Sequence, residues 1–354
     1  MNANPAGTAF VIKAGVHRRQ SVVPKSGNQF LGEAGAVLDG EYAVQYAFTK
    51  GSAPYPSDVV IRGLVIEHYN PAVQFGAILA GGHQPADGTS GWVIENCEIR
   101  YNSTGGGLRI GHRTQVLRNN IHHNAQLGIG GVGDDALIEG NEIAYNNYQV
   151  QYDWGWEAGG TKWTRTRNLV VRGNFSHHNH GPGLWTDESN INTTYENNRV
   201  EDNFANGIFH EISYAAVIRY NTSRRNGFGH RGWLWGAGIL IAASRDVEVY
   251  GNVVEGNANG ITMVQQNRGS GLYGPHIVQN VYVHDNTIVN GPSGRTGAAQ
   301  DIGDNSIFTS RNNRFERNTY YLGAGPTPFD WMNAVRTPPQ WLAFGHDVAG
   351  IFNP

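Results

Sequence analysis

The sequence predicts an all-β chain, a single-stranded right-handed parallel β-helix (a solenoid) with a cap at each end. Three observations carry that prediction. A short phrase closed by asparagine recurs along the chain, its copies are spaced by about one solenoid coil, and the composition is poor in helix formers. The phrase has two or three β-formers, a polar pair ending in Asn, a hydrophobic residue, and a second Asn shortly after. It reads WVIENCEIRYN, QVLRNNIHHN, ALIEGNEIAYN, LVVRGNFSHHN, TYENNRVEDN, VIRYNTSRRN, VEVYGNVVEGN and VYVHDNTIVN.

The closing residues are Asn102, Asn124, Asn146, Asn179, Asn203, Asn226, Asn257 and Asn290, spaced by 22, 22, 33, 24, 23, 31 and 33. A base unit of 22 to 24 residues with occasional insertions suits a coil of three short strands, each coil stacked on the last at about 4.8 Å. Asn at the same turn of every coil can donate its side-chain amide to the next Asn, a ladder that needs no other partner. Leucine-rich repeats share the period but demand a Leu pattern this sequence lacks. The chain holds 48 glycines, three Met and only four Lys, Lys13, Lys25, Lys50 and Lys162. Helices favour Ala, Leu, Glu and Lys, whereas Gly and Asn supply the backbone angles of tight turns. Residues 1–54 read as an N-terminal cap and first coils, 55–320 as the repeats, and 321–354 as a C-terminal cap segment.

A net charge of -3 argues against nucleic acid as a partner, because phosphate binding wants a clustered basic face. No apolar run approaches the roughly 18 residues that cross a bilayer, so no membrane partner is expected. Residues 1–10 lack the charged and apolar regions of a secretory signal, which leads to the expectation of an extracellular protein whose leader was removed and Met1 added. The lone Cys97 excludes an intramolecular disulfide.

A second phrase follows each closing Asn: a small residue, then Ile or Leu, then alternation. It aligns Ile78, Leu108, Ile129, Leu184, Ile208, Ile239 and Ile261 as inward positions. Because strand side chains alternate faces, residues one and three further along point outward. In this register Lys162, Asp187 and Glu211 fall in one outward column, with Trp185 and Phe209 in the adjacent one and Arg109 further along. Lys162 and Glu157 belong to the insertion QVQYDWGWEAGGTKWTRTRN.

Asp187 and Glu211 would lie about 4.8 Å apart at the backbone. Two carboxylates that close resist simultaneous ionisation, and such a pair suits a retaining glycosidase, whose carboxyls sit about 5–5.5 Å apart. It also suits Ca²⁺, which collects carboxylate oxygens; no other cofactor is expected. Trp185 and Phe209 could stack on sugar rings, and Glu157, Arg109, Gln265 and Gln266 could extend the sugar subsites. The structural alternative is a salt-bridged ladder of Asp187 and Glu211 with Lys162 as counter-ion. Trp154, Trp156 and Trp163 either pack the insertion or touch substrate. His210 takes an inward position and reads as a satisfied interior histidine. His122, His123, His177, His178 and His180 fall at turns beside the Asn ladder, form nothing like HExxH, and read as ladder or surface residues. The loops Trp233–Gly236 and Asn267–His276 account for two longer spacings, and insertions on one face of a repeat fold usually wall a binding groove.

These phrases resemble the right-handed β-helix repeat of the pectate-lyase-like superfamily over roughly residues 55 to 320. AFVIKAGVHRRQSVVPKSGNQFLGEAGAVLDG resembles the first coil and cap of bacterial members, and FDWMNAVRTPPQWLAFGHDVAG a short terminal cap. WEAGGTK, GPGLWTD, GIFHEISY and the Gly-Pro-His at 274–276 resemble one bacterial subgroup, for which the resemblance implies the fold and no reaction. The superfamily holds polysaccharide lyases, glycoside hydrolases, epimerases and phage tailspikes, so fold does not decide among them.

The implied partner is a polysaccharide or oligosaccharide, and three readings compete. A glycoside hydrolase would use Asp187 and Glu211 as acid and base or nucleophile. A lyase or C5-epimerase would use Lys162 to take the proton alpha to a uronate carboxylate, with Ca²⁺ or Arg109 neutralising the developing charge. A non-catalytic glycan-binding or adhesion module would use neither. Only one Lys stands in the column, and the acidic pair would repel a uronate unless metal sits between, which tilts the expectation toward hydrolysis. The Asp-Pro-His signature of alginate epimerases and the Asn-Thr-Asp pattern of polygalacturonases are both absent.

Overall fold

Each coil turns on the same local event. A three-residue strand ends, one residue enters the left-handed region, and an asparagine follows with its side chain turned inward. In Gln115–Leu117, Arg118 (φ 52°), Asn119 and again in Asn120–His122, His123 (φ 54°), Asn124, that single left-handed residue bends the chain at a corner. A non-glycine residue there costs about 1–2 kcal/mol, so something must hold the corner shut. The asparagines do.

The structure, a computed structural model, describes residues 3–291, 293–323 and 325–354. The chain forms two compact units, one through His180 and one from Gly181, and each is a parallel β-helix with three faces. In the first unit Ile94, Val116 and Ile138 stack in register on one sheet. Ile99, Ile121 and Ile143 do so on the second, and Ile78, Leu108, Ile129 and Thr161 on the third. In the second unit the third sheet stacks Leu184, Ile208, Ile239 and Ile261, as the repeat alignment requires. These side chains are buried. Strand pairing is already present at Ala9–Ile12 against Gln29–Gly32. At the other end, Ile351–Asn353 pairs in parallel with Thr319–Tyr321.

Two asparagine ladders run through each unit. In the first, Asn102, Asn124, Asn146 and Asn179 pass Nδ2 to Oδ1 at 2.8, 3.0 and 3.0 Å, while Asn119, Asn141 and Asn174 form a second line. In the second unit Asn198, Asn221, Asn252, Asn286 and Asn318 follow one another at 2.9 to 3.0 Å. Asn203, Asn226 and Asn257 form the companion line. The expectation that the ladder needs no other partner is corrected. Within the ladders Oδ1 also accepts a backbone N–H of the preceding coil, as Asn221 does from Asn198, and Nδ2 also reaches a carbonyl, as Asn221 reaches Tyr195 at 3.0 Å. The side chain thereby mends the backbone gap that the corner opens.

Two further corrections follow. Asn290, which the repeat phrase assigns to the ladder, stays out, and its side chain makes no hydrogen bond among the described residues. Val289 before it is still in strand, so no left-handed corner sets Asn290 in line with Asn257, and its amide is buried without joining the ladder. At the start of the phrase Cys97 holds the corner position, and only its backbone N–H joins, to Asn119 at 2.8 Å. Glycine after the ladder is a packing requirement: a Cβ at Gly128 or Gly207 would lie 2.8 or 2.9 Å from the Nδ2 of Asn146 or Asn226.

The second unit closes on Asp347. Asn318 donates to its Oδ1 at 2.9 Å, and Tyr320 and the Trp341 indole donate to its Oδ2 at 2.7 and 3.0 Å. Trp341 comes from the short helix Pro338–Ala343, which opens on a capping box at Thr337. No helix among the described residues is long and apolar enough to cross a membrane.

Asn221→Ala removes an acceptor for Asn198 and a donor to Asn252 and Tyr195. Buried polar groups left unpaired cost about 1–3 kcal/mol each, so chemical denaturation should show a loss of about 3 kcal/mol or more. Ile208→Ala should cost about 2–5 kcal/mol, because a stacked core collapses poorly onto a cavity.

Candidate functional site

The third sheet of the second unit carries the predicted carboxylates. Trp185 pairs with Phe209 and Thr186 with His210, which brings Asp187 and Glu211 side by side at the ends of the strands Leu184–Asp187 and Ile208–Glu211. Leu184 and Ile208 point inward and are fully buried, so the register that fixes this face is the expected one. The face itself is not open. Trp185 and Phe209 are 2% and 4% exposed, and their rings stack at 5.3 Å with Trp235 edge-on to Phe209 at 5.9 Å. Leu234 and Trp235 come from the turn the sequence marks as a groove wall. With Leu240, Ala242, Val264 and Ala299 they form a second apolar cluster outside the coil. The expectation of two aromatic faces free to stack on sugars is corrected: burying those rings removes more apolar area from water than leaving them open, and the loop is a roof.

Glu211 is only 6% exposed. Its Oε2 accepts from the Trp185 indole N–H at 3.2 Å, and its Oε1 is ion-paired with Arg268. Arg268 stands in the loop 266–278, which is pinned at several points. Tyr214 donates its hydroxyl to the Gly274 carbonyl at 2.6 Å, Leu272 N–H donates to Ser189 Oγ at 3.1 Å, and Arg245 reaches the Tyr273 carbonyl at 2.7 Å. Gln265, expected as a sugar contact, is 1% exposed and donates to the carbonyls of Gln266 and His276; it ties down the loop. Gln266 is half-buried and donates to Asp301 at 3.2 Å. A Ca²⁺ ion between Asp187 and Glu211 would have to displace the Arg268 guanidinium, so this donor set does not fit a metal. Arg268 is the member that sequence reasoning missed, since an irregular loop carries no period from which its direction can be read.

Inside the same strands lies a polar line. Tyr195 donates to Thr186 Oγ1 at 2.9 Å, and Thr186 meets His210 Nδ1 at 2.8 Å. His210 is fully buried, its Nε2 has no partner among the described residues, and burial pushes the imidazole down to about 4.

Lys162, Glu157 and Arg109 belong to the first unit. The expectation that Lys162 shares a column with Asp187 and Glu211 is corrected: it stands one residue after the inward Thr161, whereas they stand three after Leu184 and Ile208. Arg109, Gly130 and Lys162 occupy successive rungs of one outward column, with a glycine between the two basic side chains. Arg109 is 7% exposed; its Nε and Nη1 donate to the carbonyls of Gly82 at 2.8 Å and Gln74 at 2.6 Å. Burial lowers its guanidinium to about 10, and the charge of Glu157 opposes that fall. Lys162 is 8% exposed, donates to the Trp156 carbonyl at 2.7 Å, and has Glu157 Oε1 at 3.8 Å. Trp156 and Glu157 sit on the single-turn helix Trp154–Glu157, which Asp153 caps. Trp163 is fully buried, whereas Trp156 is half-exposed. The column therefore places two buried basic side chains on either side of a glycine, each donating to backbone carbonyls.

The described right-handed beta helix region matches residues 86–253 and 192–274 of this sequence. No curated protein matches the chain by sequence. Among solved structures, the A-module of a mannuronan C-5 epimerase from Azotobacter vinelandii is similar at 15% identity and TM-score 0.57, over 98% of this chain and 91% of that one. A mannuronic acid specific polysaccharide family 6 lyase from human gut microbiota is similar at 13% identity and TM-score 0.63, over 89% and 74%. A family 6 alginate lyase in complex with a trisaccharide is similar at 15% identity and TM-score 0.53, over 90% and 80%.

The buried His210 carries a pH prediction. Its folded value lies below the unfolded one of about 6.5, so the unfolded chain takes up a proton that the folded chain refuses. Its contribution is intact above about pH 6.5 and is lost as pH falls toward 4. At about 1.4 kcal/mol per pH unit, the wild-type chain should lose about 3 kcal/mol over that range beyond what His210→Asn loses, measured by denaturant titration at each pH.

Proposed function

This chain belongs to the family of the right-handed beta helix region, and on that footing we propose that it acts on an acidic polysaccharide outside the cell, removing the C5 proton of a uronate residue as a lyase or C5-epimerase does. The observation that carries this reading is the column Arg109–Gly130–Lys162, with two basic side chains, each under a tenth exposed, on either side of a glycine on an outward strand face. A sugar carboxylate lying against Gly130 would meet Arg109 on one side and Lys162 on the other. As the C5–H bond breaks, its electron pair spreads into that carboxylate, and preorganised cations in a dry site stabilise the charge far more than water does. Arg109 stays charged and takes the neutralising role. Lys162 is assigned the proton: as the neutral amine it takes the C5 proton and becomes an ammonium beside the carboxylate, which a guanidinium cannot do. If the electron pair then expels O4, which takes a proton from water, the chain is cut by β-elimination; if water instead delivers a proton to C5 from the opposite face, C5 is inverted.

This ordering reverses the expectation of hydrolysis. A hydrolase would need both carboxyls of the Asp187–Glu211 pair to give, take or share charge at the glycosidic bond, but both oxygens of Glu211 are engaged, by Arg268 and by Trp185. The uronate substrates named for the epimerase and the lyase of similar fold are in keeping with the reading.

The test offers the chain poly-mannuronate, poly-guluronate and polygalacturonate in deuterated buffer. Elimination is followed by the ultraviolet absorbance of the new double bond, and epimerisation by deuterium at C5. One of these polymers should respond, and Lys162→Gln should lower kcat by about 10²–10⁴-fold, as losing a general base does. Undiminished turnover in Lys162→Gln would overturn the reading. So would new reducing ends without ultraviolet absorbance that vanish in Asp187→Asn and Glu211→Gln, which is the outcome hydrolysis predicts.

A further inference from the structure

We propose that the consecutive histidines His122–His123 and His177–His178 are two equivalent binding sites for a divalent transition-metal ion of the Cu²⁺ or Ni²⁺ type. The inference is independent of the proposed reaction and lies wholly within the first unit. In each pair the first histidine ends a strand of the second sheet and the second is the left-handed corner residue (φ 54° and 53°) before a ladder asparagine. The corner therefore turns two adjacent rings toward each other, at interplanar angles of 86° and 88°. Nδ1 faces Nδ1 at 2.7 Å in the first pair and 2.9 Å in the second.

The far nitrogen of each first histidine is held by a carboxylate. His122 Nε2 lies 3.1 Å from Glu98 Oε1, and His177 Nε2 lies 3.0 Å from Glu142 Oε1. A carboxylate accepts, so Nε2 carries the hydrogen, and Nδ1 of a neutral ring is left with its lone pair. The second histidine then supplies the single proton between the two nitrogens. A metal ion can take that proton's place, with both Nδ1 atoms as ligands.

The spacing selects the ion. Two metal–nitrogen bonds of about 2.05 Å at a right angle put their nitrogens about 2.9 Å apart, whereas a tetrahedral angle puts them about 3.4 Å apart. Right angles belong to tetragonal ions, and imidazole suits Cu²⁺ and Ni²⁺. The carboxylate on the far nitrogen is the outer-shell partner that metal-bound histidines usually have.

The rings are preset as well. His123 stacks on Tyr145 at 5.0 Å, and Tyr145 stacks on His178 at 5.1 Å. His178 is exposed and His123 half-buried, so water can complete each coordination sphere. A third cluster, Asp39, Glu67 and His68, has ligand atoms within 4.8 Å of one another, but Arg18 and Arg100 already pair with its carboxylates.

His122, Ala144 and His177 are successive partners across the sheet, which sets the two ions two rungs apart, roughly 10 Å. The experiment titrates the full-length, tag-free chain with Cu²⁺ by calorimetry and records its electron paramagnetic resonance spectrum. Two ions should bind, with spectra broadened by their mutual dipolar coupling. His123→Phe, which keeps a ring in the stack and removes the nitrogens, should leave one ion and no coupling. His123→Phe with His178→Phe should leave none. Glu98→Gln and Glu142→Gln should keep both ions and weaken them by about 10–100-fold, a readout that does not depend on the double variant folding. No copper uptake by the wild-type chain, uptake unchanged in the double Phe variant, or two uncoupled ions would each overturn the proposal.

Discussion

The left-handed corner is the constraint on which the rest of the molecule depends. A coil of three short strands must turn sharply between them, and it turns here at single residues with positive φ, many of them not glycine. Each such corner is unfavourable by itself and leaves backbone groups of the next residue without a strand partner. A buried asparagine at that place answers both problems. Its amide reaches the next coil's asparagine and a carbonyl, while its oxygen accepts the neighbouring N–H. The ladder therefore fixes register between coils, and register decides which face every strand residue occupies. A slip of one residue would turn Leu184 and Ile208 outward and point Asp187 and Glu211 into the coil.

With register fixed, the two kinds of outward face diverge. On the third sheet, insertions after the corners return over the strands. In the second unit, the turn carrying Leu234 and Trp235 covers Trp185 and Phe209, and the pinned loop 266–278 delivers Arg268 to Glu211. In the first unit, the single-turn helix Trp154–Glu157 lies beside Lys162, and the carbonyls of Gln74 and Gly82 hold Arg109. Insertion length thus converts idle outward columns into enclosed charged ones, where low polarity makes each charge count for more.

The corners have chemistry of their own. Because the residue before each ladder asparagine is forced to one backbone conformation, its side chain repeats in the same direction in coil after coil. In the first unit this lines up Tyr101, His123, Tyr145 and His178 as an outward stack of rings. Where histidine also ends the preceding strand, two imidazoles meet nitrogen to nitrogen. The constraint that builds the fold is in this way the one that builds the proposed metal pairs, and no insertion is involved.

What the sequence by itself determined is whatever repeats. The asparagine phrase, the inward Ile and Leu positions and the alternation after them are periodic, and a period of strand and coil maps directly onto direction in space. That is why Asp187 and Glu211 fall side by side, whereas Lys162, read into their column across an irregular insertion, stands in register with Arg109 instead. It is also why His210 reads correctly as interior, and why Asn290, whose neighbour Val289 is not a corner residue, is the instance where the phrase misleads. Tertiary structure alone decided what covers those columns. Trp185 is outward by alternation yet buried, Gln265 holds a loop rather than a sugar, and Arg268 reaches Glu211 from a segment with no repeat to betray its direction. The physical reason is that burial of an outward residue depends on where a loop far along the chain comes to rest, and that is settled by apolar area and ion pairing between segments, not by any local pattern.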